Sequence, residues 1–513
     1  MVHTTQTRFA RPWRIRQALA ATLIAACAAT MPVSAQLPTL GDGSEMSSSA
    51  ERKLGERIAR ELYRDPDYID DPVLVEYVQN IWQPLLAAAR QRGDLGAELD
   101  QRFAWEIFLG KDRSINAFAL PGGYLGLHLG LVGAVANRDE LASVLAHELS
   151  HVTQRHIARL MTQQNRQTPW LVGAMILGAI AASKNPDAAN AVVAGGQALA
   201  IQNQLNFSRD MEREADRIGY GVMTQAGFEP LGFVTMFDKL QQASRLNDNG
   251  AFPYLRSHPM TTERMADMQA RQQLAGRTVS PAAASLEHAL VAARARVLSQ
   301  GAVDALRTRV AEAQAAALAQ QSPARQAAAL YAAALASLKL REPAQAERFA
   351  LALRPLVQGE AAAARLARLL LAEIALAGGD AVRAASLLPA GDAGRPDVLL
   401  AAQAALRTGR AADAAQRLQT WVTLHPRDAS AWQLLAQAHG ALGQNIRAIR
   451  AEAEAQVGWM DYAAAMDRFK AAQELVRKMA RDGTLGSDHI EASIIDTRAR
   501  QVESLLREQA LER

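Results

Sequence analysis

The chain has 513 residues, 49% of them hydrophobic and 21% charged. These are the proportions of a folded globular protein, and they exclude both a disordered chain and one that crosses a membrane many times. The formal charge of +4 has a local origin, because Arg8, Arg11, Arg14 and Arg16 lie in a start that carries no acid, and without them the charge is balanced. A balanced chain lacks the basic footprint of a nucleic-acid binder, so no nucleic-acid partner is expected.

That arginine-rich start runs into the apolar stretch ALAATLIAACAATM and then VSAQ. This is the pattern of a secretory signal peptide spanning residues 1–35, with Val33 and Ala35 as the small residues before a cut at Gln36. The apolar stretch is short for a membrane span. The only cysteine, Cys27, lies inside it, and IAAC also resembles a lipoprotein acylation site, so a lipid anchor at Cys27 is the alternative. Cleavage after Ala35 leaves a chain with no cysteine, and a zinc site in such a chain must use nitrogen and oxygen ligands.

From residue 45 to 90, Leu54, Ile58 and Leu62, then Leu74, Tyr77, Val78 and Ile81, fall at helical spacing and predict two helices separated by DPDYIDDP. FAWEIFLG and INAFALPGGYLGLH then read as a small sheet with a hairpin around Pro121, Gly122 and Gly123. Asn137, followed three residues later by Glu140, is a capping signal for a helix that begins at Arg138, and Leu141, Val144 and Leu145 supply the stripe that buries it.

This helix carries VLAHELSHVTQRH. Each helical residue advances about 100°, so His147 and His151 share one face and can meet one ion, with Glu148 beside them to take a proton from a water. A helix that happens to carry two histidines remains the plain alternative. His156 projects about 140° from the ligand face on the same helical count and is expected at the surface.

Residues 169–201 include WLVGAMILGAIAA, apolar on all sides but too short to span a bilayer. A buried helical hairpin, a lid over the site and a shallow peripheral membrane contact all fit this segment. Next, FSRDMEREADRIG offers further ligands. A hydrolytic zinc needs three protein ligands and an open position, and Glu212 and Asp216 lie four apart on one face, with Ala215 leaving room for close packing. Glu214 points elsewhere, and a solvated charged helix is the alternative. In RSHPMTTER, Pro259 holds His258 extended, where its ring can face inward or sit in a surface turn.

Beyond about residue 276 the chain becomes alanine-rich and helical. LAGGDAVRAA, LRTGRAADAA and LGQNIRAI recur at the period of tetratricopeptide repeats, with Ala414, Pro426, Trp432, Leu435 and Ala448 near consensus places. A plain helical bundle is the alternative. Stacked helix pairs would give a concave surface suited to holding another protein.

HELSH followed by SRDMEREAD, with NAFALPGG upstream, resembles the metalloprotease family that includes the membrane CAAX prenyl proteases and the bacterial heat-shock protease HtpX. The resemblance implies one zinc ion held by His147, His151 and Glu212, Glu148 as general base, and Asp216 as the acid that orients a ligand histidine. It makes Asn116, Ala117, Phe118, Ala119, Pro121, Gly122 and Gly123 the edge that pairs with an extended substrate, since an open edge offers main-chain hydrogen bonds to many sequences. His258 is then a fourth ligand, a regulator or an oxyanion stabiliser.

The expected fold is mainly α with a small β-sheet: a zincin-like metalloprotease domain at 36–275, a helical linker at 276–325 and a tetratricopeptide-like helical repeat domain at 326–513. A secreted catalytic half joined to repeats resembles the periplasmic members of that family that police outer-membrane assembly. This implies unfolded or misassembled outer-membrane proteins as substrates, and docking on the outer-membrane β-barrel assembly machinery through the repeats. The competing reading is a chaperone or scaffold binding protein whose metal site is latent or structural. An integral membrane protease would need several long spans, and the sequence has none.

Overall fold

The computed structural model describes residues 46–163, 208–245, 252–274, 285–389, 394–483 and 489–511. The expected signal peptide, its alternative anchor Cys27 and the apolar segment 169–201 lie outside them. Among the described residues no helix is long and apolar enough to cross a membrane.

The two expected helices are α1 (Ser48–Arg64) and α2 (Pro72–Arg92). Each begins on a side-chain cap: Ser47 accepts from Ala50 N–H, and Asp71 accepts from Leu74 N–H ahead of a helix whose first residue is Pro72. The predicted apolar residues form their buried faces. A short helix α3 (Ala97–Arg102) leads into the sheet of β1 (Glu106–Gly110), β2 (Ala117–Leu120) and β3 (Tyr124–His128).

The strand order is β1-β3-β2, with β1 parallel and β2 antiparallel to β3. Among the described residues, strand β2 is therefore an open edge. The hairpin between β2 and β3 turns through Pro121–Gly123, where Gly122 and Gly123 take φ values of 74° and 84°. A Cβ on Gly122 would come within 2.8 Å of the Arg52 backbone on α1, so both the conformation and the space call for glycine.

After α4 (Leu129–Ala134), helix α5 (Arg138–Thr153) starts where expected, with the Asn137 side chain accepting from Glu140 N–H. It is buried along almost its whole length. Helix α6 (His156–Gln163) follows, and after the undescribed segment come α7 (Arg209–Gln225), α8 (Leu231–Arg245), α9 (Tyr254–Ser257) and α10 (Thr262–Leu274). Helix α7 crosses α5 at Gly219, where a Cβ would meet the Ala146 backbone at 3.1 Å. Close approach here brings the acidic face of α7 onto the histidines of α5.

Helix α11 (Leu286–Leu298), in the stretch expected as a linker, is deeply buried. His288 bonds to the Tyr77 hydroxyl at 2.7 Å and to the Val135 carbonyl at 2.9 Å, and Arg294 grips both oxygens of Asp71. The remaining helices, from Val303 to Leu511, stack as hairpins. Five of the hairpin turns among the described residues share one geometry: Arg341, Gly379, Gly409, Gly443 and Met460 are left-handed, and the next N–H bonds back to Ser337, Ala375, Ala405, His439 and Gln456 respectively. This is the six-to-one closure of a Schellman cap, and it gives the sequence periodicity its physical basis. Trp432 is buried and donates to the Pro426 carbonyl at 2.9 Å, tying one repeat to the end of the previous one.

Acids at the start of α2 bind the repeats. Arg395 bridges Asp70 and Asp428, Arg365 bridges Glu76 and Asp397, and Arg294 joins Asp71 to Glu373.

Candidate active site and metal centre

Helix α5 delivers His147 and His151 one turn apart, with their Nε2 atoms 3.0 Å from each other. Glu212, on the first turn of α7, places Oε2 3.5 Å from His147 Nε2 and Oε1 3.4 Å from His151 Nε2. His258, just after α9, places Nδ1 3.0 Å from Glu212 Oε1 and 3.2 Å from His147 Nε2. All four side chains are buried, and their potential ligand atoms lie within 4.8 Å of one another. This is the only such group among the described residues.

Asp216, one turn along α7 from Glu212, places Oδ1 2.9 Å from His147 Nδ1. Arg264 on α10 donates to both oxygens of Asp216 at 2.6 and 2.8 Å and reaches Glu212 Oε2 at 2.7 Å. Burial raises the carboxyl groups of both acids, but it is outweighed for Asp216 by Arg264 and His147 and for Glu212 by His258, His147 and His151. Both are held below the usual carboxylate range.

Burial likewise opposes charge on His147, yet Asp216 and Glu212 push its imidazole up to about 10. The point where the rings converge thus favours positive charge, and its donor set is imidazole nitrogen and carboxylate oxygen. Those features fit a divalent cation of the zinc type. Burial lowers His151, as expected for an imidazole that offers a lone pair.

Glu148 lies beside this group. Its Oε2 accepts from Ala119 N–H at 2.9 Å and its Oε1 stands 3.5 Å from His258 Nε2. Burial raises its carboxyl group, against the pull of His258 and His147. The bond from His128 N–H to the Asn116 carbonyl sets the alternation of β2, so Asn116 and Phe118 face β3 while Ala117 and Ala119 turn their backbone groups to the open edge. The predicted edge residues thus divide: Ala117 and Ala119 face the site, and Pro121, Gly122 and Gly123 fasten the strand end against α1.

One expectation fails. His156 is not at the surface but fully buried, with Nδ1 2.8 Å from His151 Nδ1 and Nε2 3.1 Å from Glu214 Oε2. Helix α5 ends at Thr153 and Arg155 adopts a left-handed φ of 52°, so a uniform helical projection stops applying two residues before His156. Burial lowers His156 to about 4, against the Glu214 hydrogen bond and together with Arg159.

Two more residues carried no sequence signal. Arg264 has no spacing that ties it to Asp216, and Tyr254 stacks on the His258 ring at 4.5 Å between centroids, a contact made by the fold rather than by any motif.

Residues 76–272 match peptidase family M48. The chain is 32% identical over 466 residues to the β-barrel assembly-enhancing protease of Escherichia coli K12, covering 88% of this chain and 91% of that one. It is 36% identical over 255 residues to the putative β-barrel assembly-enhancing protease of Vibrio cholerae, a match that spans 49% of this chain and half of the relative. It is also 29% identical over 196 residues to the mitochondrial metalloendopeptidase OMA1 of Saccharomyces cerevisiae, over 37% and 54% of the two chains.

Proposed function

Since this chain belongs to peptidase family M48 and is a metallopeptidase, we propose that it is a periplasmic zinc endopeptidase that removes misfolded or stalled outer-membrane proteins. The observation that carries this reading is the placement of Glu148, buried beside two histidines and a carboxylate and held by the open edge strand.

His147, His151 and Glu212 would hold one zinc ion, which would supply Lewis-acid polarisation of a peptide carbonyl and of a neighbouring water. Glu148 takes the proton of the attacking water and returns it to the leaving amine nitrogen. Asp216 keeps the His147 proton on Nδ1, so that Nε2 serves as ligand. Ala117, and Ala119 through its carbonyl, pair with the substrate backbone, which selects extended, unfolded chain rather than a particular sequence.

His258, within hydrogen-bond distance of Glu212 and His147, would supply a further ligand to the ion and so regulate access to it. The repeat domain, 326–513, holds substrate or docks on the outer-membrane β-barrel assembly machinery, and 36–275 is the protease. A signal cut after Ala35 delivers the chain to the periplasm.

The proximity of His258 also supports a second reading, in which the site stays closed and the chain acts as a scaffold or chaperone. The separating experiment incubates wild type and His258→Ala with an unfolded outer-membrane β-barrel protein and measures bound zinc. One zinc per chain, with cleavage that stops on chelation and returns with zinc, supports the protease. Zinc and barrel binding without cleavage in either form supports the scaffold.

A further inference from the structure

His156 takes no part in the chemistry above, yet it is wholly buried directly behind a ligand. Its ring meets that of His151 edge-on, with centroids 4.8 Å apart at 76° and Nδ1 facing Nδ1 at 2.8 Å. The far nitrogen, Nε2, lies 3.1 Å from Glu214 Oε2, and Arg159 Nη1 donates to the same oxygen at 2.9 Å. Glu214 and Arg159 are partly exposed, so the chain of contacts runs from the ligand to the surface.

One assignment of protons satisfies every member. His151 must present the Nε2 lone pair to an ion, so its proton sits on Nδ1. Only one proton fits between the two facing Nδ1 atoms, so His156 accepts there and carries its own proton on Nε2. That proton is donated to Glu214, whose charge is matched by Arg159.

We infer that His156 is a positioning residue for His151: it accepts the Nδ1–H, fixes the tautomer and ring plane of the ligand, and is itself held by Glu214. This rests on the reading of His151 as a metal ligand. The two ligand histidines are then supported differently. A carboxylate paired with Arg264 backs His147, and a neutral imidazole tethered to a surface acid backs His151. The left-handed Arg155 makes the arrangement possible by folding the first residue of α6 back under α5.

The test uses the full chain as wild type, His156→Leu, His156→Asn and Glu214→Gln. The zinc dissociation constant is read by chelator competition, the visible absorption of bound Co²⁺ reports ligand geometry, and the melting temperature of each metal-free form controls for folding. Loss of an outer partner of a ligand histidine typically weakens metal binding by about 10–100-fold. That loss, with an altered Co²⁺ spectrum, is expected for His156→Leu. His156→Asn, whose Oδ1 can accept where Nδ1 did, should recover most of the affinity, and Glu214→Gln should lose several-fold.

Unchanged zinc affinity in His156→Leu, or equal losses in the Leu and Asn variants, would overturn the inference. If His156→Leu does not fold, the other two decide: near wild-type affinity in His156→Asn with a weaker Glu214→Gln supports it, and an unchanged Glu214→Gln overturns it. A wild type that binds zinc no better than His151→Ala would instead sink the ligand assignment, and the inference with it.

Discussion

A Cβ atom on Gly219 would stand 3.1 Å from the carbonyl oxygen of Ala146. At that point α7 rests on the backbone of α5 with no side chain between them, and this contact sets how far Glu212 and Asp216 stand from His147 and His151. Gly219→Leu should therefore push the helices apart. The expected cost is about 1–3 kcal/mol of stability, together with weaker zinc binding. Thermal melting and chelator competition read the two effects, and full zinc affinity in a folded Gly219→Leu protein would contradict this account of the helix contact.

Asp216 joins His147 to Arg264. Asp216→Asn keeps the shape but loses the charge, so it should weaken zinc binding by about 10–100-fold. Because the carboxylate also keeps His147 raised, proton competition at the site should change as well. Titrating zinc affinity against pH in both proteins tests this, and superimposable curves would reject the role.

Arg294 faces Asp71 and Glu373 in the buried seam between α2 and the repeats. Removing one partner of such a network leaves charge buried without compensation, typically at about 3–5 kcal/mol. Arg294→Leu should show a loss of that order in urea unfolding, and Asp71→Asn added to it should recover part. An Arg294→Leu chain as stable as wild type would mean that the seam does not depend on this pair.

His288 gives a pH dependence with a defined sign. Burial lowers its imidazole from the ordinary value of 6.5, although its bond to the Val135 carbonyl works the other way. The fold thus prefers the neutral ring. Its contribution is complete above the unfolded value of 6.5 and is lost as pH falls below that value through the lower folded one. The stability gap between wild type and His288→Gln should shrink between about pH 7.5 and pH 5. A gap that stays constant across that range would exclude His288 as the source.

Much of the site could be read from sequence because regular helices translate spacing into direction. His147 with His151, and Glu212 with Asp216, converge as their four-residue intervals predict, and the Asn137 cap marks where the ligand helix begins. His156 departs from the helical projection because that translation ends at Arg155, whose left-handed backbone redirects the chain. Arg264 and Tyr254 join the site through tertiary packing, which leaves no period in the sequence. The seam formed by Asp70, Asp71 and Glu76 with Arg395, Arg294 and Arg365 is illegible for the same reason, since its partners lie hundreds of residues apart. The repeats were legible through their small-residue turns, which become the shared caps at Gly379, Gly409 and Gly443.

The central claim is that Glu148 moves the proton at a zinc-dependent peptidase site. Glu148→Gln keeps an oxygen to accept from Ala119 N–H and removes the base. The decisive measurement compares it with wild type for bound zinc and for the rate of cleavage of an unfolded outer-membrane protein. The account predicts equal zinc and a rate lower by about 10²–10⁴-fold. Equal zinc with an undiminished rate would contradict it.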